Sequence, residues 1–172
     1  MKILTSTPAK ASALLAIALL QGCSSVAKFD SVTPGTTLAI RGMESNTLPR
    51  TEKLESKSTG QHEFVATAPS GQKLYGLLPL RVNGGTMTTS ILFFAPALFI
   101  GGFRDAYAFY QVDPEAGTLS YKNREKDSWH TYKPSAAESE RAKQYFDASK
   151  GSQVKMESAT ANKTDTAARS SN

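Results

Sequence analysis

The sequence predicts a mainly-β (α+β) chain: a small antiparallel β-sandwich-like domain with one C-terminal helix. Three observations predict it. Short runs of alternating apolar and polar residues recur between turn signals. One Asp-Pro-Glu-Ala-Gly turn, residues 113–117, separates two aromatic-bearing runs. A single stretch after Pro134 combines a helix start signal with helical spacing.

The first expected strand is Thr36 to Arg41, closed by Gly42. Residues 43–60 are polar and charged, contain Pro49 and Gly60, and read as a long loop. His62 to Ala68 alternates as a half-buried strand does, with Phe64 and Ala66 on one face. Pro69-Ser70-Gly71 is a turn. Lys73 to Val82 suits a further strand, provided Pro79 lies at an edge or bulge, because proline donates no ladder hydrogen bond. Tyr107 to Val112 and Thr118 to Lys122 form a hairpin around the 113–117 turn. Ser128 to Tyr132 adds a short strand carrying Trp129. Ser135 and Glu138 then form a capping-box pattern. Ala142, Tyr145 and Phe146 recur so as to pack one helix face on a sheet, and the helix is expected to end near Ser149 or Gly151.

The expected organisation is a leader over 1–22, a tether over 23–35, the β-rich domain with its helix over 36–150, and a tail over 151–172. The tether assignment rests on Ser24, Ser25, Ser31, Thr33, Pro34 and Gly35. The tail lacks aromatics, is rich in Ser, Thr, Ala, Asn and Lys, and is expected to be disordered.

The leader follows the plan of a signal peptide. Lys2 and Lys10 supply positive charge, and residues 11–20 form an apolar run broken only by Ser12. As a helix that run spans about 15 Å, half of a bilayer core of about 30 Å. Leu20-Gln21-Gly22-Cys23 follows. It resembles the lipobox of bacterial lipoproteins, with Gln21 departing from the small or apolar residue usual there. The resemblance implies cleavage between Gly22 and Cys23, a diacylglyceryl group on the Cys23 thiol, and membrane lipid as a partner. Cys23 is the one cysteine in the chain, so no internal disulfide competes for it. Ser24 in place of aspartate implies, by the sorting rule associated with such lipoproteins, the periplasm-facing inner leaflet of the outer membrane.

Residues 82–103 carry no charge, and their densest part runs from Ile91 to Phe103. Three readings stay open. The segment is a core strand or hairpin, a surface that dips into membrane or meets a protein partner, or a transmembrane helix. Pro96 and the short apolar length weigh against the third. The contact residues of the second reading would be Ile91, Leu92, Phe93, Phe94, Leu98, Phe99, Ile100 and Phe103. The order of Ile91–Phe103, Asp105 and the hairpin Tyr107–Tyr121 also resembles small lipoproteins with PEGA-like β-domains. That resemblance implies a small β-sandwich and carries over no functional residue.

The net charge is +5, or about +3 without Lys2 and Lys10, too weak for a nucleic-acid partner. The only histidines, His62 and His130, show no zinc spacing. Asp127, Ser128 and His130 are too close in sequence for the usual spatial triad. Asp105, Asp113 and Glu115 lack the ligand spacing of a calcium loop. Neither Gly84-Gly85 nor Gly101-Gly102 forms a phosphate-binding motif. No catalytic residue, metal or cofactor is therefore assigned. The expected role is a lipid-anchored envelope protein, structural or adaptor-like. The rival is a periplasmic module that binds or modifies cell-wall glycan through Trp129, Tyr107, Tyr110, Tyr121 and Tyr132.

Overall fold

A computed structural model describes residues 24–84 and 102–150. The described chain forms eleven strands and one helix. In order the strands are β1 (Ser24–Ser31), β2 (Thr37–Ile40), β3 (Asn46–Thr47), β4 (Arg50–Glu55), β5 (Glu63–Thr67), β6 (Lys73–Leu77), β7 (Leu80–Val82), β8 (Arg104–Ala106), β9 (Phe109–Asp113), β10 (Thr118–Lys122) and β11 (His130–Tyr132). Helix α1 occupies 136–150. The mainly-β fold class with one C-terminal helix is the observed one.

The strands make a five-stranded sheet ordered β11-β10-β9-β1-β4, a four-stranded sheet ordered β3-β2-β5-β6, and a β7-β8 pair. All pairings are antiparallel except β1 with β9. One hydrophobic cluster joins Ala27, Phe29, Leu54 and Tyr110 of the first sheet to Leu38, Ile40, Phe64 and Ala66 of the second. Two sheets that bury their facing sides against each other leave one solvent face apiece.

The expected tether is corrected by this arrangement. Ser24–Ser31 is an interior strand of the larger sheet, paired on one side with the edge strand β4 and on the other with β9. Ala27 and Phe29 are buried, and Lys28 between them and Asp30 after them are exposed. The alternation is real but rests on only two apolar side chains, which serine content masks. The expected loop over 43–60 also contains strands, β3 and β4. β4 is an edge strand in which only Leu54 is buried, so it has little hydrophobic pattern to read. The run Lys73–Val82 is two strands, broken at Leu78-Pro79.

Other expectations hold in detail. Phe64 and Ala66 are both buried. The Asp113 carboxylate accepts the Ala116 N–H at 3.0 Å, and Gly117 adopts φ +69°, which closes the β9-β10 hairpin. The α1 capping box is complete: Glu138 N–H donates to Ser135 Oγ at 3.3 Å, and Ser135 N–H donates to the Glu138 carboxylate at 2.8 Å. Ala142 is buried and Ser139 Oγ donates to the Tyr75 carbonyl at 3.0 Å. The approach beneath α1 needs a glycine, since a Cβ on Gly76 would lie 2.7 Å from the Pro134 ring and 2.9 Å from Phe64.

Tyr110 locks the β7–β9 corner. Its ring stacks on Phe29 at 5.0 Å, its hydroxyl donates to the Pro79 carbonyl at 2.6 Å, and it accepts the Tyr107 N–H at 2.9 Å. Burial pushes its pKa well above the ordinary phenol value. Tyr110→Phe is expected to cost about 1–3 kcal/mol by leaving two backbone groups unpaired. Urea unfolding should show a lower midpoint with unchanged slope.

Candidate functional site

Two regions carry the chemistry. The first is the end of the molecule where β1 begins. Cys23 and Gly22 lie outside the described residues, but Ser24, the next residue, pairs with Glu55 on β4. Ser25 Oγ accepts the Ala106 N–H from β8 at 3.0 Å. β8 pairs with β7 through Val82 and Arg104, and the Asn83 N–H donates to the Phe103 carbonyl at 2.7 Å. Lys57 and Arg104 exchange two backbone hydrogen bonds, of 2.9 and 3.1 Å. Gly102 sits tightly against this corner, because a Cβ there would lie 2.6 Å from the Ser56 carbonyl oxygen, and its φ is +69°.

Most of the expected contact residues (Ile91, Leu92, Phe93, Phe94, Leu98, Phe99 and Ile100) lie outside the described residues. Phe103 is described and half-buried. The chain leaves the β7-β8 pair at Gly84 and returns to it from Gly102, and β8 lies against Ser25.

Asp105 stiffens the same corner. Its carboxylate accepts the Ser56 hydroxyl at 2.5 Å and the Asn83 amide at 2.8 Å, with Arg81 at 3.9 Å. Each oxygen is already engaged, so Asp105 is a fastener between the β4–β5 connection and the β7-β8 pair. His62 is similarly committed: its Nε2 meets the Glu55 carbonyl at 3.0 Å, and burial holds its pKa below the ordinary value despite that bond. Among the described residues no cluster of three His, Cys, Asp or Glu is placed to hold a metal.

The second region is the solvent face of the five-stranded sheet. The strand register sets Lys122 opposite Phe109 and Phe109 opposite Lys28. Directly opposed residues share a face. Trp129 comes next to Lys122, one residue before the Tyr121–His130 pair. The resulting row is Trp129, Lys122, Phe109 and Lys28, drawn from β11's entry, β10, β9 and β1. The ammonium groups of Lys28 and Lys122 lie 5.7 and 5.6 Å from the Phe109 ring centre, and Lys122 is 4.6 Å from that of Trp129. These are cation–π distances. A cleft of about 440 Å³ opens here, lined by Lys28, Asp30, Thr51, Phe109 and Trp129 among others. Trp129 is 41% exposed, unusual for so large an apolar side chain.

Of the five aromatic residues expected to line a glycan surface, only Trp129 and Tyr110 border this cleft, and Tyr110 is buried. Tyr107, Tyr121 and Tyr132 pack against the core. His130 is exposed, stacks near Tyr121 at 5.7 Å, and does not line the cleft. Lys28, Phe109 and Lys122 were not singled out in the sequence. Their juxtaposition depends on the parallel β1–β9 pairing, which brings together positions about eighty residues apart. Set against known proteins, the chain matches no family model, no curated protein and no solved structure.

Proposed function

We propose that this chain is a lipid-anchored protein of the bacterial cell envelope, structural or adaptor-like, held through a diacylglyceryl group on Cys23 in the periplasm-facing leaflet of the outer membrane. The apolar segment 91–103 meets membrane lipid or a protein partner beside the anchor.

The observation that carries this reading is a shared location. The lipobox-like cysteine stands one residue before β1, and the strand pair from which the apolar segment departs rests on Ser25. Lipid and apolar chain would therefore address the same surface. With no free tether between Cys23 and β1, the domain would sit flush against that surface. Among the described residues no helix is long and apolar enough to cross a membrane. Several acyl chains at about 0.8 kcal/mol per buried CH₂ hold a protein durably.

Metabolic labelling with a fatty acid, followed by fractionation, tests the reading. The wild-type chain is expected to carry label and stay with membranes. Cys23→Ser is expected to lose the label and to run as the uncleaved precursor. Equal labelling of the two chains overturns the proposal.

A further inference from the structure

We propose that the cleft on the solvent face of the five-stranded sheet is a binding site for an acidic glycan, a chain of sugar rings bearing carboxylates. The proposal does not depend on lipid at Cys23, because every residue of the site belongs to the folded domain.

Sugar rings present apolar C–H faces and a rim of hydroxyls. They stack on exposed aromatic rings and hydrogen-bond to polar groups beside them. The row supplies both. Trp129 and Phe109 stand two strands apart, about 10 Å at the usual strand spacing, far enough to take two separate rings of one extended chain. The next residues on the same face are polar. Asp30 stands opposite Gln111, Gln111 opposite Ser120, and Ser120 opposite Thr131. Ser120 and Thr131 already share one hydrogen bond at 2.9 Å, and the Asp30 carboxylate accepts the Ser31 N–H at 2.8 Å. Hydroxyls and carboxylates keep further acceptor capacity after one bond.

Charge selects among glycans. Two ammonium groups flank one ring, Phe109: Lys28 is exposed and lines the cleft, and Lys122 is half-buried beside it. Lys122 uses one donor on the Glu125 carbonyl at 2.6 Å, and an ammonium has three. Arg50 borders the same cleft with its side chain nine-tenths buried, ion-paired to Glu52 at 3.3 Å. Asp30 is the acidic residue among the cleft's lining. A carboxylate above Phe109 would meet Lys28 and Lys122 together, whereas a neutral sugar would leave both cations unmatched.

The test uses the full-length product purified in detergent. The probes are muramic-acid-containing oligosaccharides released from peptidoglycan, chitin oligosaccharides of equal length without carboxylates, and phosphatidylglycerol vesicles. The wild type is expected to bind the acidic oligosaccharide at least tenfold tighter than the neutral one. Trp129→Ala should weaken both by tenfold or more with an unchanged unfolding midpoint. Lys28→Gln/Lys122→Gln should erase the preference for the acidic probe while retaining binding to the neutral one. Three results would overturn the proposal: no binding by the wild type, equal binding by Trp129→Ala, or vesicle binding without glycan binding. Should Trp129→Ala unfold, Lys28→Glu alone decides, since an exposed lysine can be reversed without disturbing the core. Loss of the acidic preference then supports the site, and its retention overturns it.

Discussion

Phe29→Ala is expected to destabilise the domain by about 3–5 kcal/mol, the range for truncating a buried phenylalanine. Phe29 is 1% exposed, stacked on Tyr110 at 5.0 Å, and part of the cluster that joins the two main sheets. Removing the ring leaves a cavity that a pleated backbone held on both sides by β4 and β9 cannot close. Val26→Ala, on the opposite face of the same strand and 60% exposed, should change stability by less than about 0.5 kcal/mol. Chemical denaturation of both variants makes the comparison. Similar small losses in the two would mean that β1 is the loosely held tether its serines suggest. The outcome also bears on anchoring. If β1 is core, a lipid at Cys23 pulls directly on a strand held on both sides within its sheet.

What was legible in the sequence followed from local rules. The β9-β10 hairpin was read from Asp113, Pro114 and Gly117, because turn chemistry is specified within five residues. The α1 start was read from Ser135 and Glu138 for the same reason. β5 was read because Phe64 and Ala66 repeat at the pleat period over a buried face. β1 and β4 were missed because each carries few apolar residues. Ala27 and Phe29 are too few to outweigh the surrounding serines, and an edge strand such as β4 meets solvent on most of its residues. Within the candidate glycan site only Trp129 was legible, as an aromatic near a strand start. Its lysine partners come from strands whose pairing is set by tertiary packing, and no sequence period records that.

Removing both arginines that bracket Glu63 is expected to cost about 3–5 kcal/mol, more than removing Glu63 itself. Glu63 is 2% exposed, while Arg41 and Arg141 are 49% and 54% exposed. Each guanidinium lies 3.2 Å from a carboxylate oxygen, and Arg141 ties α1 to β5 through this contact. Arg41 also rests on the Tyr145 ring at 4.7 Å. The asymmetry follows from solvation. In Glu63→Gln the two arginines turn to water at little cost. In Arg41→Met/Arg141→Met a buried carboxylate loses both charge partners and cannot reach water. The pH dependence separates the two effects. Burial raises the Glu63 pKa, but the backbone hydrogen bond at its own residue and the two arginines outweigh it, so the folded-state value is lowered. A lowered carboxylate pKa contributes stability above the unfolded-state value, and that contribution fades as pH falls through the folded-state value. Without the arginines burial dominates and the folded-state pKa rises above that of the unfolded chain. The double variant should then regain stability relative to wild type as the solution is acidified from neutrality toward the ordinary carboxylate range near 4. Urea midpoints for both proteins across that interval give the measurement. A gap that stays constant or widens on acidification would show that Glu63 is not held as a buried anion by this pair.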